Sequence, residues 1–197
     1  QKIGVSGRNG AGKSTLCRIL VGQEERESGE ISKNSDLRLS YLEQHDPYLL
    51  DETVMAFLTR YTGKEEWRCG EVAGQFQLKN EILDTLVGEL SGGYRTRVKL
   101  ASMLLADPNF LILDEPTNYL DLKTLILFED FLQEYNGSFL IVSHDREFLK
   151  KTCEDTLEIA NGDMTIYPGP VEEYLIFKEE QKAQTLSINR NIEAKKK

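Results

Sequence analysis

"GRNGAGKST", residues 7–15, decides how the rest of this chain is read. Gly7, Gly12, Lys13 and Ser14 satisfy the pattern G-x-x-x-x-G-K-[ST], and the run "KIGVS" just before it has the look of a buried strand. A strand, a glycine-rich loop and a helix in that order make a cradle for phosphate. Gly7, Gly10 and Gly12 let the backbone turn tightly and aim its N–H groups inward, and the helix that begins near Lys13 adds its positive end. The candidate phosphate contacts are therefore Gly7, Arg8, Asn9, Gly10, Ala11, Gly12, Lys13, Ser14 and Thr15. Lys13 would pair with β and γ phosphates, and the Ser14 hydroxyl would go to Mg²⁺. A glycine-rich turn that merely caps a helix would not need the strand, the lysine and the serine in register as well.

Outward from the loop, "LRLSYLEQ", "FLILDE" and "FLIVSHD" are further short runs rich in Ile, Leu and Val, separated by stretches compatible with helix. This alternation predicts an α/β fold, a mostly parallel sheet with helices on both faces. Residues from about 47 to 107 contain no comparable run and carry apolar residues at helical spacing, Val54, Phe57 and Leu58 among them, which predicts a small helical lobe. In "TLEIANGDMTIYPG" two strand-like runs flank Asn161-Gly162-Asp163, the chemistry of a hairpin turn. From Val171 onward there is neither Gly nor Pro, and one helix leaving the domain is expected.

The 197 residues and 40% hydrophobic content suit a globular domain with a real core. No apolar run approaches a membrane span, and neither the basic start nor the apolar stretch of a signal peptide is seen, so a cytoplasmic protein is expected. Cys17, Cys69 and Cys153 are too few and too scattered for a disulfide framework or a zinc site and are expected to be reduced and buried. A net charge of −9 argues against a surface devoted to nucleic acid or anionic lipid. Residues 178–197 are the exception, with six basic residues against three acidic. A solvated helix face accounts for that tail as well as an RNA contact does.

The chemistry-bearing residues sit at strand ends. "FLILDEPT" delivers Asp114 and Glu115 to the carboxyl edge of the sheet, where α/β proteins bind ligands. Asp114 would hold Mg²⁺ and Glu115 would polarise an attacking water as general base, although an acidic pair also suits a helix start. "FLIVSHD" brings His144 to another strand end, within reach of a γ-phosphate. Ser143, His144 and Asp145 are consecutive and so cannot form a hydrolase triad by adjacency. Gln44 closes a strand-like run, and its amide reaches the metal or the water if that strand lies beside the phosphate-loop strand. Taken alone it is a polar residue at a strand end. "ELSGGYRTRVKLASMLLADP" opens a helix at Ser91-Gly92-Gly93, with Val98, Ala101, Leu104 and Leu105 as its apolar stripe. That start reads either as a serine N-cap with a flexible approach or as a second anion-binding helix terminus.

These motifs, in the order "GRNGAGKST", Gln44, "LSGGY", "FLILDEPT", "NYLD" and "SHD", resemble the ATP-binding cassette (ABC) ATPases over residues 2–170. The resemblance implies ATP and Mg²⁺ as cofactors. It also implies a head-to-tail pairing of two cassettes, in which Ser91, Gly92 and Gly93 contact the γ-phosphate held by the partner and Asp121 couples the two sites. "SGGYRTRVKLASMLL", "EPTNYLD", "SHDREFL" and "YPGPVEEYL" are similar to the ABC-F class, whose two cassettes share one polypeptide and whose characterised members often act on the ribosome.

By that resemblance residues 1–170 would be the ATPase domain, with core 1–47 and 108–170 and a helical signature lobe at 48–107. Residues 171–197 would start an interdomain linker, making this the first cassette of an ATP-driven switch on a ribosome or another ribonucleoprotein. A membrane partner is not expected. The alternatives are the nucleotide-binding subunit of a transporter and a module that binds ATP without cleaving it. Tyr119 and Tyr94 depart from the family's usual residues, and the span from Gln44 to Ser91 is short for the helical arm some members insert there. Opening directly on the phosphate-loop strand, the chain is expected to be an excised piece. It would lack the family's N-terminal antiparallel strands and the aromatic residue that stacks on adenine.

Overall fold

A computed structural model of the chain describes residues 1–42, 47–118 and 120–194, with side chains as far as 186. Six strands form one sheet: β1 (Lys2–Gly7), β2 (Leu39–Leu42), β3 (Phe110–Asp114), β4 (Ser138–Val142), β5 (Asp155–Ala160) and β6 (Asp163–Tyr167). Their order is β2-β3-β4-β1-β5-β6; the first five strands are parallel and β6 is antiparallel to β5. The P-loop strand is thus flanked on both sides, Gly4 pairing with Ile141 and with Thr156.

The apolar runs of β3 and β4 are continuous because both faces of these strands are covered. Leu111, Leu113, Phe139 and Ile141 point to one face, where they join Phe128 of α6 (Leu122–Glu134) and Phe148 of α7 (Arg146–Thr152). Ile112, Leu140 and Val142 point to the other and meet Val5, Ile159 and Cys17 of α1 (Lys13–Val21). The alternation of partners is the period of two that a strand imposes. Phe128 and Phe148 stack with centroids 5.8 Å apart, and both are fully buried. Truncating either to alanine costs about 3–5 kcal/mol.

Between β2 and β3 the chain forms α2 (Val54–Thr62), α3 (Glu66–Gln75), the short α4 (Asn80–Leu83), one 3₁₀ turn (Val87–Glu89) and α5 (Gly92–Leu104). Phe57, Leu58, Val72 and Phe76 pack these helices together, and their cluster is continuous with the core beneath the sheet.

The turn joining β5 to β6 is a two-residue loop. Ala160 pairs with Asp163, and both intervening residues, Asn161 (φ 54°) and Gly162 (φ 85°), adopt the left-handed conformation of a type I′ turn. The last helix, α8 (Val171–Ala194), is anchored at its start by buried Val171 and Tyr174 and by a 2.7 Å ion pair between Lys178 and Glu158 of β5. From Glu179 to Leu186 it is exposed throughout.

Candidate functional site

Gly7 ends β1 so close to β5 that an added Cβ would stand 2.7 Å from the Ile159 carbonyl oxygen. Gly10 and Gly12 then take positive φ values of 79° and 95°, turning the chain into α1. Gly12 is the N-cap of that helix and supplies no side-chain bond, so the first amides of α1 have no side-chain cap. Lys13 is only 8% exposed, and its ammonium donates to the Gly7 carbonyl at 2.9 Å and the Arg8 carbonyl at 3.1 Å. These bonds hold it over the loop. The cavity above has a volume of about 460 Å³, lined by Asn9, Gly10 and residues 12–15 on one side and by Glu115, Asn118 and His144 on the other.

Asp114 closes β3 and is 5% exposed, and its Oδ1 is the one buried side-chain oxygen or nitrogen among the described residues that has no hydrogen-bond partner. An orphaned buried carboxylate oxygen is costly unless a cation or a donor supplies what is missing. Its charge reaches α1. The Cys17 thiol is pushed up to about 12, first by burial and second by Asp114, and is a core thiol with no thiolate chemistry. Ser14 and an orphaned Asp114 oxygen suit a hard cation that takes its other ligands from phosphate and water. Among the described residues no group of three or more His, Cys, Asp or Glu side chains makes a closed metal site.

Glu115 adopts φ 50°, a left-handed conformation that a non-glycine residue takes at a cost of about 1–2 kcal/mol. Its N–H donates to the Val142 carbonyl at 2.8 Å, which fixes the bend where β3 leaves the sheet. The result aims the carboxylate at β4's end. His144 Nε2 lies 3.3 Å from Glu115 Oε1, and the His144 backbone N–H donates to Oε2 at 3.4 Å. Ser143 pairs with Thr117 through hydroxyls 3.3 Å apart, while Asp145 caps α7 through the Phe148 amide. The Asp145 N–H also donates to the Ser143 hydroxyl at 3.1 Å, while the His144 ring turns to Glu115.

The second helix start stands apart from this cavity, whose lining includes none of Ser91, Gly92, Gly93 and Asp121. Ser91 is the N-cap of α5, and its hydroxyl accepts from the Tyr94 amide at a long 3.5 Å. Asp121 is the N-cap of α6 and accepts from the Thr124 amide at 2.7 Å. That amide, followed by the Thr124 and Arg97 side chains, holds the Asp121 carboxyl below the usual carboxylate range. The two helix starts touch: a Cβ on Gly93 would stand 2.5 Å from Asp121 Oδ2.

Gln44 and Tyr119 lie outside the described residues. The strand leading toward Gln44 does not lie beside the P-loop strand: β2 pairs with β3 at the sheet edge and is separated from β1 by β3 and β4. Asn118 in the cavity wall and Arg97 beneath the second helix start are polar residues that motif reading passes over. Arg97 had a signal of its own: it stands four, seven and eight positions before Ala101, Leu104 and Leu105, a charged residue on the apolar stripe of the helix. Its exposure is 5%.

The profile of the ABC transporter family matches residues 1–118. The chain is 36% identical over 186 residues to the ATP-binding protein Uup of Buchnera aphidicola subsp. Schizaphis graminum, covering 91% of this chain and 31% of Uup. To the ATP-binding cassette sub-family F member 3 of Mus musculus it is 34% identical over 183 residues, covering 91% of this chain and 26% of the mouse protein. Among solved structures, an archaeal ribosome recycling factor in complex with a ribosomal stalk protein superposes with a TM-score of 0.66 at 28% identity, over 80% of this chain and 31% of the other. The chain spans about a third of the length of the curated relatives it matches. A family profile aligned to the P-loop, the second helix start and the strand end at Asp114-Glu115 alike settles the membership: the chain belongs to the ABC family of P-loop ATPases, and its cassette is like those of the ABC-F class.

Proposed function

We propose that this chain binds Mg-ATP in the P-loop cavity and hydrolyses it in a site completed by a second ABC cassette. The observation that carries the reading is the separation of two anion-type helix starts: one shares a cavity with Glu115 and His144, and the other lies outside it. Lys13 and the amides of residues 10–15 hold the phosphates. Ser14 and Asp114 would hold Mg²⁺ there, and the ion, when bound, would offset the negative charge on the phosphates. Glu115 takes the proton of the attacking water, and His144, 3.3 Å from that carboxylate, orients it and reaches the γ-phosphate. Ser91, Gly92, Gly93 and Asp121 serve the nucleotide of the partner cassette.

In this reading residues 1–170 are the cassette, with its helical lobe at 48–107, and residues 171–197 begin a linker to the second cassette. Closure of the pair on ATP and release after hydrolysis make a switch. A ribosome or another ribonucleoprotein is the target that the likeness to ABC-F cassettes and to a ribosome recycling factor supports. A transporter partner has less behind it, since the curated relatives named above are an ATP-binding protein and a sub-family F member.

The test uses Glu115→Gln, which keeps the side chain's size and removes the base. In the protein that carries both cassettes, with the matching change in the second, Mg-ATP is expected to yield a compact, long-lived state that co-sediments with ribosomes. No ATP-dependent change in size would refute the role of Glu115. Recovery with membranes would replace the ribosomal switch by a transporter subunit. In this chain alone, turnover is expected to be weak and to rise with protein concentration, because each site needs a second copy.

A further inference from the structure

We propose that Arg97 is a positioning residue that locks Ser91–Gly93 and Asp121 into one preformed surface, the face this chain lends to a nucleotide held by another cassette; the inference rests on the composite-site reading above. Arg97 lies on α5 with its guanidinium beneath both helix starts. Its Nε donates to Thr124 Oγ1 at 2.7 Å, and its terminal nitrogen stands 3.6 Å from Asp121 Oδ1. The guanidinium carbon is 5.1 Å from the centre of the Tyr94 ring. Thr124 is itself fully buried, and its amide donates to the same Asp121 oxygen. Above this, Gly93 and Asp121 touch where only a glycine leaves room.

The seam joins segments far apart in sequence through one side chain. Burying a cation is expensive, and an apolar residue of similar volume would hold α5 against α6 as well or better. What an apolar residue cannot do is fix a carboxylate while leaving it open to a visitor. Asp121 keeps 55% of its side chain exposed while bonded from behind by Thr124 and Arg97. One rigid guanidinium fork reaches the Thr124 hydroxyl and the Asp121 carboxylate together, which the single ammonium of lysine does not reproduce. Displacing such a pair by a fraction of an ångström spoils the geometry of phosphate contact without unfolding anything.

A mixing experiment separates positioning from folding. A Lys13→Ala copy of the chain has lost the lysine that holds ATP, but still offers its Ser91 face. A Ser91→Ala copy can hold ATP but offers a defective face. Each alone is expected to be inactive, and an equimolar mixture with Mg-ATP is expected to regain hydrolysis. Arg97→Lys placed in the Lys13→Ala copy should then lower the regained rate by about tenfold or more, while the same change in the Ser91→Ala copy should lower it by less than about twofold. Equal loss from both copies means that Arg97 only supports the fold, and no loss from either means that it does nothing for the surface. Both overturn the inference and leave the composite site standing. A mixture that stays inactive although the Ser91→Ala copy binds ATP overturns the composite site and the inference with it.

Discussion

The two glycine-rich helix starts of this chain differ in what stands behind their amides. At α1 the cap is a glycine in the left-handed conformation with no side chain to offer, and the amides open into a cavity that Glu115 and His144 also line. At α5 the cap is Ser91, whose hydroxyl accepts one amide at 3.5 Å, and the support comes from Arg97 and Asp121. Both starts are rich in glycine, yet the backbone differs: Gly12 caps α1 in the left-handed conformation and Ser91 caps α5 in an extended one. In the composite-site reading the difference separates a holder, enclosed by a lysine and a cavity, from a visitor's clamp, braced from behind and left open in front.

The comparison breaks most easily at Lys13. Lys13→Ala removes a buried ammonium aimed across the P-loop, and binding of a fluorescent ATP analogue should weaken by about 100-fold or more, whereas Ser91→Ala should leave that binding in this chain unchanged. Equal effects would mean that the two starts are not specialised.

A sharper contrast lies among the glycines. Gly7→Ala drives a Cβ to 2.7 Å from a backbone oxygen that cannot yield, and a loss of about 2–3 kcal/mol is expected in urea unfolding. Gly12→Ala meets no atom within 4 Å and pays only for its φ of 95°, about 1 kcal/mol. If Gly12→Ala proved the more damaging to stability, packing of the loop against β5 would not be what fixes its shape.

Smaller still is the cap at Ser91. Its long bond predicts that Ser91→Ala lowers stability by only about 0.5 kcal/mol while abolishing hydrolysis in concentrated protein. A larger drop in the unfolding midpoint would assign Ser91 to the fold.

The smallest effect is a pH dependence at Asp121. Because its carboxyl sits below the usual range in the folded chain, the stability it contributes is complete above the ordinary aspartate pKa of about 4 and fades as pH falls through the lower folded value. Unfolding of Asp121→Asn and of the parent chain, followed from neutral pH downward, should converge at the acid end.

The parts of this molecule legible in sequence are those whose physics is local. The strand–loop–helix at residues 2–21, the carboxylates at the end of β3 and the turn at Asn161-Gly162 each follow from a few adjacent residues. The lateral order of the sheet does not. It depends on pairings such as Leu39 with Phe110, which no single segment encodes, and so β2 lies next to β3 where the reading of Gln44 asked for the P-loop strand. Arg97 was hidden for a related reason: its partners Asp121 and Thr124 belong to another helix, and only the placement of a charge on an apolar stripe hinted at them.

The bend at Glu115 has a consequence for anyone who tries to improve this protein. A left-handed backbone favours glycine or asparagine, so the site that the proposed chemistry requires to be glutamate is one the fold alone would fill differently. Libraries screened for heat resistance without a test of turnover will drift at position 115 toward Gly or Asn, and their most robust survivors will be silent cassettes.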